Sequence, residues 1–430
     1  MTHLNARVRT STRHCSNFSL KGVIYLEYGL SYLKRKLVSK QIRVYKRYQY
    51  YEMKNGIDAL SPMTPDSFQG LTSVLGWCAK SVDSLADRLI FDSFSKDDFL
   101  INEIYKLNNA DILFDSAILS ALISSCSFIY IGNGNDNYPL LQVIDGGNAT
   151  GIIDPVTNML TEGYAVLERD EYQKPTLEAY FRPFQTDYYL NGKLENIFHH
   201  SAPYALLVPV VNRPDARRPF GHSRISRACM SLTQSALRTL KRSEVSAEFY
   251  SIPQKYIIGL SEDSEFNGRY ATMASFLDIG KDENGDKPSI GQFQQQSMTP
   301  YTEQLKTIAS VFAGETGLTL DDLGFSTSNP SSSDAIKASH ENLRLMARKS
   351  QRTFGTCFLN AGYLSACVRD DFQYDRKAFA DTKVSWFPIF EPDISALGGI
   401  GDAIFKINQA VPDFLGERNI KQLTGLESDK

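Results

Sequence analysis

The chain reads as an α+β protein, and three features of the sequence carry that assignment. Apolar residues recur at helical spacing up to about residue 126, and short alternating runs punctuated by turn residues then follow from Phe128 to Val211. A long stretch without glycine or proline comes next, separated by a polar insertion from a second helical run. With 430 residues, 42% of them hydrophobic, the chain can bury a large core, ordinarily in two or more domains.

The first helix is expected between Leu26 and Met53, on Leu26, Leu30, Leu33 and Leu37. It ends in a basic and aromatic run, Arg43 to Tyr51, of a kind that can stack on and neutralise nucleic acid. We read it instead as tyrosines packed on a neighbouring surface with snorkelling Lys and Arg. Leu71, Leu75, Cys78, Val82, Leu85 and Leu89 predict a core helix ending near Phe91, and 97–126 predicts two more. About six short strands follow, with turns at Gly132-Asn-Gly-Asn, Gly146-Gly147, Asp170-Glu171 and Asn191-Gly192, the last a type I′ hairpin signal.

From Gly221 to Pro253 a helix can run uninterrupted for about eight turns, with Ser223 as its natural cap. At 100° per residue Arg224, Arg227, Arg238, Lys241 and Arg242 fall within an arc of about 100°, opposite Ile225, Leu232, Ala236, Leu237 and Leu240. Residues Ser261 to Met298 are polar, with a loop of Lys281, Asp282, Glu283, Asn284, Gly285, Asp286 and Lys287 between short apolar runs, which predicts a small β subdomain. Thr299 as cap and Pro300 in the first turn open a helix with the stripe Tyr301, Leu305, Ile308 and Phe312. Gly324 to Ser333, containing Ser326, Thr327, Ser328, Asn329, Ser331 and Ser332, cannot support a core and is read as a loop.

A further long helix is expected from Asp334 to Val368, with Ile336, Leu343, Ala347, Phe354 and Phe358 on one side and Gly355 and Gly362 as kinks. Val384 to Phe390 reads as a strand through Trp386. Ile394 to Ala410 reads as a helix whose Gly398-Gly-Ile-Gly permits close packing, and the last twenty residues as short helix. There is no internal repeat.

The chemical signatures fail one by one. Gly280 to Lys287 approaches a phosphate loop, but Asp286 stands where lysine is required. Gly398-Gly-Ile-Gly lacks the dinucleotide spacing, and His199-His200 is not an i, i+4 metal pair. Gly221-His-Ser-Arg-Ile lacks the second glycine of a nucleophile elbow, and Asp282, Glu283 and Asp286 lack the order of a calcium loop. No cofactor, metal or catalytic residue is therefore expected. The competing reading, an enzyme acting on nucleic acid or an ester, would use His222, Ser223 or His200.

Cys15, Cys78, Cys126, Cys229, Cys357 and Cys367 form no Cys-x-x-Cys pair and are expected to be reduced and mostly buried. A formal charge of −3 argues against a tight binder of nucleic acid, and no apolar run is long enough to span a bilayer. Residues 1–26 are basic, acid-free and rich in Ser and Thr. We read them as a mobile tail or sequence upstream of the true start rather than as a targeting segment.

Arg-Pro-Phe-Gly-His-Ser-Arg-Ile-Ser at 218–226, with the helix that ends in Ala-Glu-Phe-Tyr-Ser-Ile-Pro-Gln-Lys-Tyr, resembles portal proteins of tailed bacteriophages and prophages. The resemblance runs from about Tyr28 to the C-terminus and is strongest at 67–92, 218–260 and 293–368. It implies a ring oligomer, a dodecamer at one capsid vertex that conducts double-stranded DNA without sequence specificity. It also implies docking of the large terminase subunit and a head-tail adaptor, contact with capsid and scaffold proteins, and a place in the virion after assembly in the host cytoplasm. Another head-tail connector component is the second alternative.

The parts implied are a tail at 1–25, a wing at 26–221, stem helices at 222–251 and 299–320, and a clip at 252–298. A tunnel loop at 321–333, a long helix at 334–380, a wing return at 381–400 and a crown segment at 401–430 complete the set. The resemblance makes Ser326, Thr327, Ser328, Asn329, Ser331 and Ser332 DNA-facing and Lys281 to Lys287 the docking loop. The basic stripe is left as subunit interface or channel lining, with the interface preferred.

Overall fold

The computed structural model describes residues 28–57, 73–134, 138–251, 255–258, 289–292, 297–325, 338–390, 394–412 and 414–424. The expectations for the N-terminal tail, for the loop of Lys281 to Lys287 and for Ser326 to Ser332 lie outside the described residues.

Helix α1 (Leu30–Tyr51) lies against the sheet layer through Leu33 and Leu37, which pack on Tyr164, Val166 and Tyr180. Its N-terminus is met by a buried carboxylate: Glu162 accepts hydrogen bonds from the backbone of Tyr28 (2.8 Å) and Gly29 (3.0 Å) and from the Tyr180 hydroxyl (2.9 Å). An acid at this end opposes the helix dipole and occupies amides that have no partner in the helix. In the basic and aromatic run Val44 and Tyr50 are buried and Arg47 donates to the Ser124 carbonyl at 2.9 Å, so most of the run packs on the body. Tyr45 stays exposed.

Helix α2 (Trp77–Ala86) is shorter than its apolar spacing predicts. Leu89 is buried beyond its end, and Phe91 opens a strand, β1 (Phe91–Ser95), that the helical reading missed. Helices α3 (Ile101–Leu107) and α4 (Ala110–Ser124) follow as expected. Among the described residues eight strands, rather than about six, then succeed one another: β2 (Cys126–Asn133), β3 (Pro139–Asp145), β4 (Ala149–Ile153), β5 (Leu160–Arg169), β6 (Pro175–Arg182), β7 (Gln185–Leu190), β8 (Lys193–His199) and β9 (Leu207–Val211). Several are only five or six residues long, too short for alternation to separate them from their turns.

The strands form a three-stranded antiparallel sheet in the order β3-β2-β9 and a five-stranded meander β4-β5-β6-β7-β8. The β7–β8 turn has Asn191 and Gly192 at φ 50° and 79°, the conformation that Asn-Gly favours. Strand β2 is covered on both faces. Ser127 donates to the Ala117 carbonyl of α4 at 2.7 Å, and Tyr130, on the opposite face, shares a 2.7 Å hydrogen bond with Tyr188 of the meander. The small sheet thus lies between a helical layer and the larger sheet.

After helix α5 (Arg227–Ser251) the chain enters β10 (Lys255–Ile258), which pairs antiparallel with β11 (Ser289–Gln292), and returns in α6 (Thr299–Thr316). Helices α5 and α6 pack on each other. Thr299 lies inside α6 rather than capping it, because Ser297 accepts from the Thr299 backbone at 3.2 Å.

Helix α7 (Glu341–Arg369) runs as one element through Gly355 and Gly362, the two expected kink positions. Gly362 also allows close approach: a Cβ there would lie 2.4 Å from Ile101 of α3. Strand β12 (Lys383–Trp386) pairs with β1, bringing Trp386 to Phe91 at 5.5 Å between ring centroids. Helix α8 (Ile394–Ala410) has the expected bounds, and among the described residues nothing lies within 4 Å of a Cβ on Gly398, Gly399 or Gly401. Helix α9 (Glu417–Thr424) follows.

Candidate functional site

The segment 212–226 leads into α5; its residues 213–219 are exposed and bonded within the segment, and it is stitched to the body at Asn212 and from His222 to Arg224. Gly221 has φ +67°, and a Cβ there would sit 2.1 Å from the Asn212 carbonyl oxygen, so no other residue fits without displacing backbone. His222 donates its amide to the Asn212 carbonyl at 2.9 Å, and the Asn212 side chain returns a hydrogen bond to the His222 carbonyl at 2.8 Å. The Ser223 hydroxyl donates to the Ile123 carbonyl at 2.6 Å and the Arg224 amide to the Leu122 carbonyl at 2.8 Å. These acceptors belong to the last turn of α4, whose carbonyls have no partners within the helix.

Ser226, not Ser223, caps α5: its hydroxyl accepts from the Cys229 backbone at 3.1 Å. The helix therefore starts later than the absence of glycine and proline allows, because 222–226 is committed to α4. Arg224 lies before the helix and is buried. Its Nε donates to the Ser81 carbonyl of α2 at 3.0 Å, one terminal nitrogen to the Thr316 carbonyl at the end of α6, and the other to Met346 Sδ of α7 at 3.1 Å. One guanidinium thus ties three helices to the foot of a fourth. Burial lowers its pKa to about 10, still well above neutrality.

This breaks up the expected stripe. Arg224 is interior, Lys241 is also buried, Arg238 is half-buried with a 3.3 Å contact to Ser235, and only Arg227 and Arg242 are exposed. The arc was measured as if the helix began near Gly221, and a projection cannot distinguish a cation pointing into a crevice from one in solvent. Of the opposite face, Ile225, Ala236 and Leu237 are buried as expected. Gln234, which no pattern singled out, donates to the Tyr50 hydroxyl (2.9 Å) and the Gly56 carbonyl (2.7 Å), fastening α5 to the end of α1.

The residues of the enzymatic alternative do not converge. His222 Nε2 pairs with Asp215 at 2.6 Å, while the Ser223 hydroxyl is spent on backbone carbonyls. His200 is buried, accepts from the Ala202 amide at 3.2 Å, and has its pKa lowered to about 4 by burial. Its neighbour His199 is exposed. Among the described residues no group of three or more His, Cys, Asp or Glu could hold a metal ion, and no helix is long and apolar enough to cross a membrane. Cys78, Cys126, Cys229 and Cys367 are buried and free, with Cys357 half-buried.

The portal protein of Mycobacterium phage L5 is 27% identical over 336 residues, covering 71% of this chain and 67% of its own length. The chain is a relative of phage portal proteins. The portal protein of Mycobacterium phage D29 is 26% identical over the same span and shares. No family model matches. Among solved structures, a chain from the neck of a native gene transfer agent particle aligns at 14% identity and a TM-score of 0.45, covering 91% of this chain and 99% of that one. A chain from the virion of such a particle gives 0.42 at the same identity and coverage. Overlaps this loose carry no statement about assembly. The resemblance of 218–226 to portal proteins, read first from a short string, includes the residues His222 to Arg224 that tie the start of α5 to the body.

Proposed function

We propose that the chain is a portal subunit: twelve copies form a ring at one capsid vertex, through which double-stranded DNA is packaged and ejected and on which terminase and the head-tail connector dock. The observation that carries this reading is the 27% identity to a phage portal protein, extending over 336 residues rather than one motif. The subunit's geometry suits it. Helices α5 and α6 pack on each other, the strands between them pair antiparallel, and Arg224 ties the start of α5 to the end of α6.

In this reading α5 and α6 are the stem, the segment between them the clip that meets terminase and adaptor, and 321–333 the loop facing DNA. The α+β body to either side is the wing, and 401–430 contributes to the crown. The protein then belongs to the virion after assembly in the host cytoplasm, and its role is structural, with ATP hydrolysis left to the motor. Electron microscopy with light scattering on the purified chain tests this. Rings with a central hole are expected, and a monomer at every concentration would refute the reading.

A further inference from the structure

Helix α1 carries seven basic residues and no acidic one, and among the described residues only Lys34 forms an ion pair, with Glu178 at 2.8 Å. Lys36, Lys40 and Arg47 turn inward: the two ammonium groups lie over the Phe220 ring at 5.1 and 4.4 Å and Arg47 reaches Ser124. The outward side presents Arg35, Arg43 and Lys46 among Val38, Ile42 and Tyr45, which are 63%, 78% and 66% exposed. Exposed aliphatics interleaved with unpaired cations over several turns do not suit a phosphate backbone, which offers them nothing apolar to cover. They suit a protein face that is apolar at its centre and acidic around it.

The same chain carries such a face. Asp83 and Asp87 on and just beyond α2, with Asp111 and Asp115 on α4, make no ion pair among the described residues. Beside them stand Ile112, 73% exposed, and Ile90, 52% exposed. Burial first, then the neighbouring carboxylates Asp111 and Asp87, raise the Asp115 pKa, so these charges repel one another in the isolated subunit. Burial and Arg43 act correspondingly on Lys40 and Arg47.

We propose that the outward face of α1 docks on the Asp83, Asp87, Asp111 and Asp115 face of a second copy, a head-to-tail contact. Each face relieves the other's like-charge repulsion, and because the two differ, the contact propagates from copy to copy rather than stopping at a dimer, which is what a ring of subunits requires. The proposal rests on the ring reading above and names the surfaces that would make the ring.

Charge reversal tests it. Arg43→Glu with Lys46→Glu, and separately Asp87→Lys with Asp115→Lys, alter exposed side chains without an ion pair in the subunit, and Asp111 is spared because it lies in the first turn of α4. Each pair should shift ring to monomer by more than about tenfold in mass photometry, and the fourfold variant should recover assembly to within about threefold. Rings that survive either reversal, or a fourfold variant that folds by circular dichroism but does not assemble, overturn the contact.

Reversal on α1 that spares rings but abolishes a gel shift with double-stranded DNA would make the face a phosphate surface and likewise overturn it. Mixing Ile42→Cys with Ile112→Cys chains under oxidation should give disulfide-linked dimers absent from either alone, and failure to do so counts against the contact whether or not the reversals fold. A wild-type chain that stays monomeric defeats the ring reading itself, whereas wild-type rings indifferent to reversal defeat only this contact.

Discussion

The two ends of α5 hold cations that a helical projection places on one face, yet they live under opposite conditions. At the foot, Arg224 is interior and its guanidinium serves three other helices. Toward the far end Arg242 is exposed, and Glu244 accepts from the Ser73 hydroxyl at 2.9 Å. A charge at the foot therefore acts on the fold of one subunit, whereas Arg242, in solvent, forms no ion pair among the described residues, although its neighbour Lys241 is buried. The difference teaches that charge periodicity names a face but not its environment.

The sharpest way to break the comparison is at Arg224. Arg224→Met should remove about 3–5 kcal/mol of subunit stability, because the Ser81 and Thr316 carbonyls lose a charged donor in a buried place. Arg224→Lys should recover little of it, since one ammonium cannot reproduce a fork that reaches three helices. Urea denaturation measures both, and a loss below about 1 kcal/mol would mean that the foot is held by the backbone stitching alone.

Gly221 tests that stitching directly. Gly221→Ala places a methyl group against the Asn212 carbonyl oxygen at a positive φ and should cost about 2–4 kcal/mol. The displaced 212–226 segment should also loosen the start of α5. Faster hydrogen exchange at the Met230 amide, which donates to the Ser226 carbonyl at 3.1 Å, would register it.

Much of this was legible beforehand and some was not, for physical reasons. Long periodic helices and the Asn191-Gly192 turn announce themselves, because several turns of spacing or one demanding backbone conformation leave little choice. Strand β1 was hidden, since Phe91 extends the apolar series of α2 and its partner Trp386 lies far along the chain. A sequence does not show what faces a missing Cβ, so the approach of Val384 to Gly355 and of Ile101 to Gly362 was not legible, nor was the open space beside Gly398 among the described residues. Of the site, the string 218–226 was visible as a resemblance, but the burial of Arg224 and Lys241 was not. The tethering role of Gln234 had no signal at all, because an isolated glutamine on a helix looks like surface.

The contrast between pinned and open groups recurs in His199 and His200, adjacent in sequence and opposite in burial. Folding lowers the His200 pKa from 6.5 to about 4, so as pH falls the unfolded chain takes up the proton first. Its contribution is intact above about pH 6.5 and drains between there and pH 4, for a total of about 3 kcal/mol. Carboxylates titrate over part of the same window, so the informative quantity is the difference from His200→Asn, whose stability should fall less steeply over that interval. Parallel curves for the wild type and His200→Asn would show that burial does not set this proton's affinity.

The smallest effect on the subunit is expected at the open end of α5, which makes it the cleanest probe of assembly. Neither Arg238 nor Arg242 forms an ion pair among the described residues, so Arg238→Glu with Arg242→Glu should change monomer stability by no more than about 0.5 kcal/mol. A larger consequence for the ring must then arise between copies. We expect ring assembly to fail in the double variant and to return when Glu244 and Glu248 are reversed to arginine. An exposed pair worth about 0–1 kcal/mol singly gains weight when every subunit repeats it. Glu244 makes the rescue demanding, because an arginine there also loses the Ser73 hydroxyl, so restored assembly would outweigh a known local loss. Rings that form normally with the reversed cations but package DNA at an altered rate would instead put Arg238 and Arg242 on the channel wall. There a row of cations repeated around the ring would retard moving phosphates in a salt-dependent way, and the comparison would become one between a foot that holds the fold and a shaft that meets DNA.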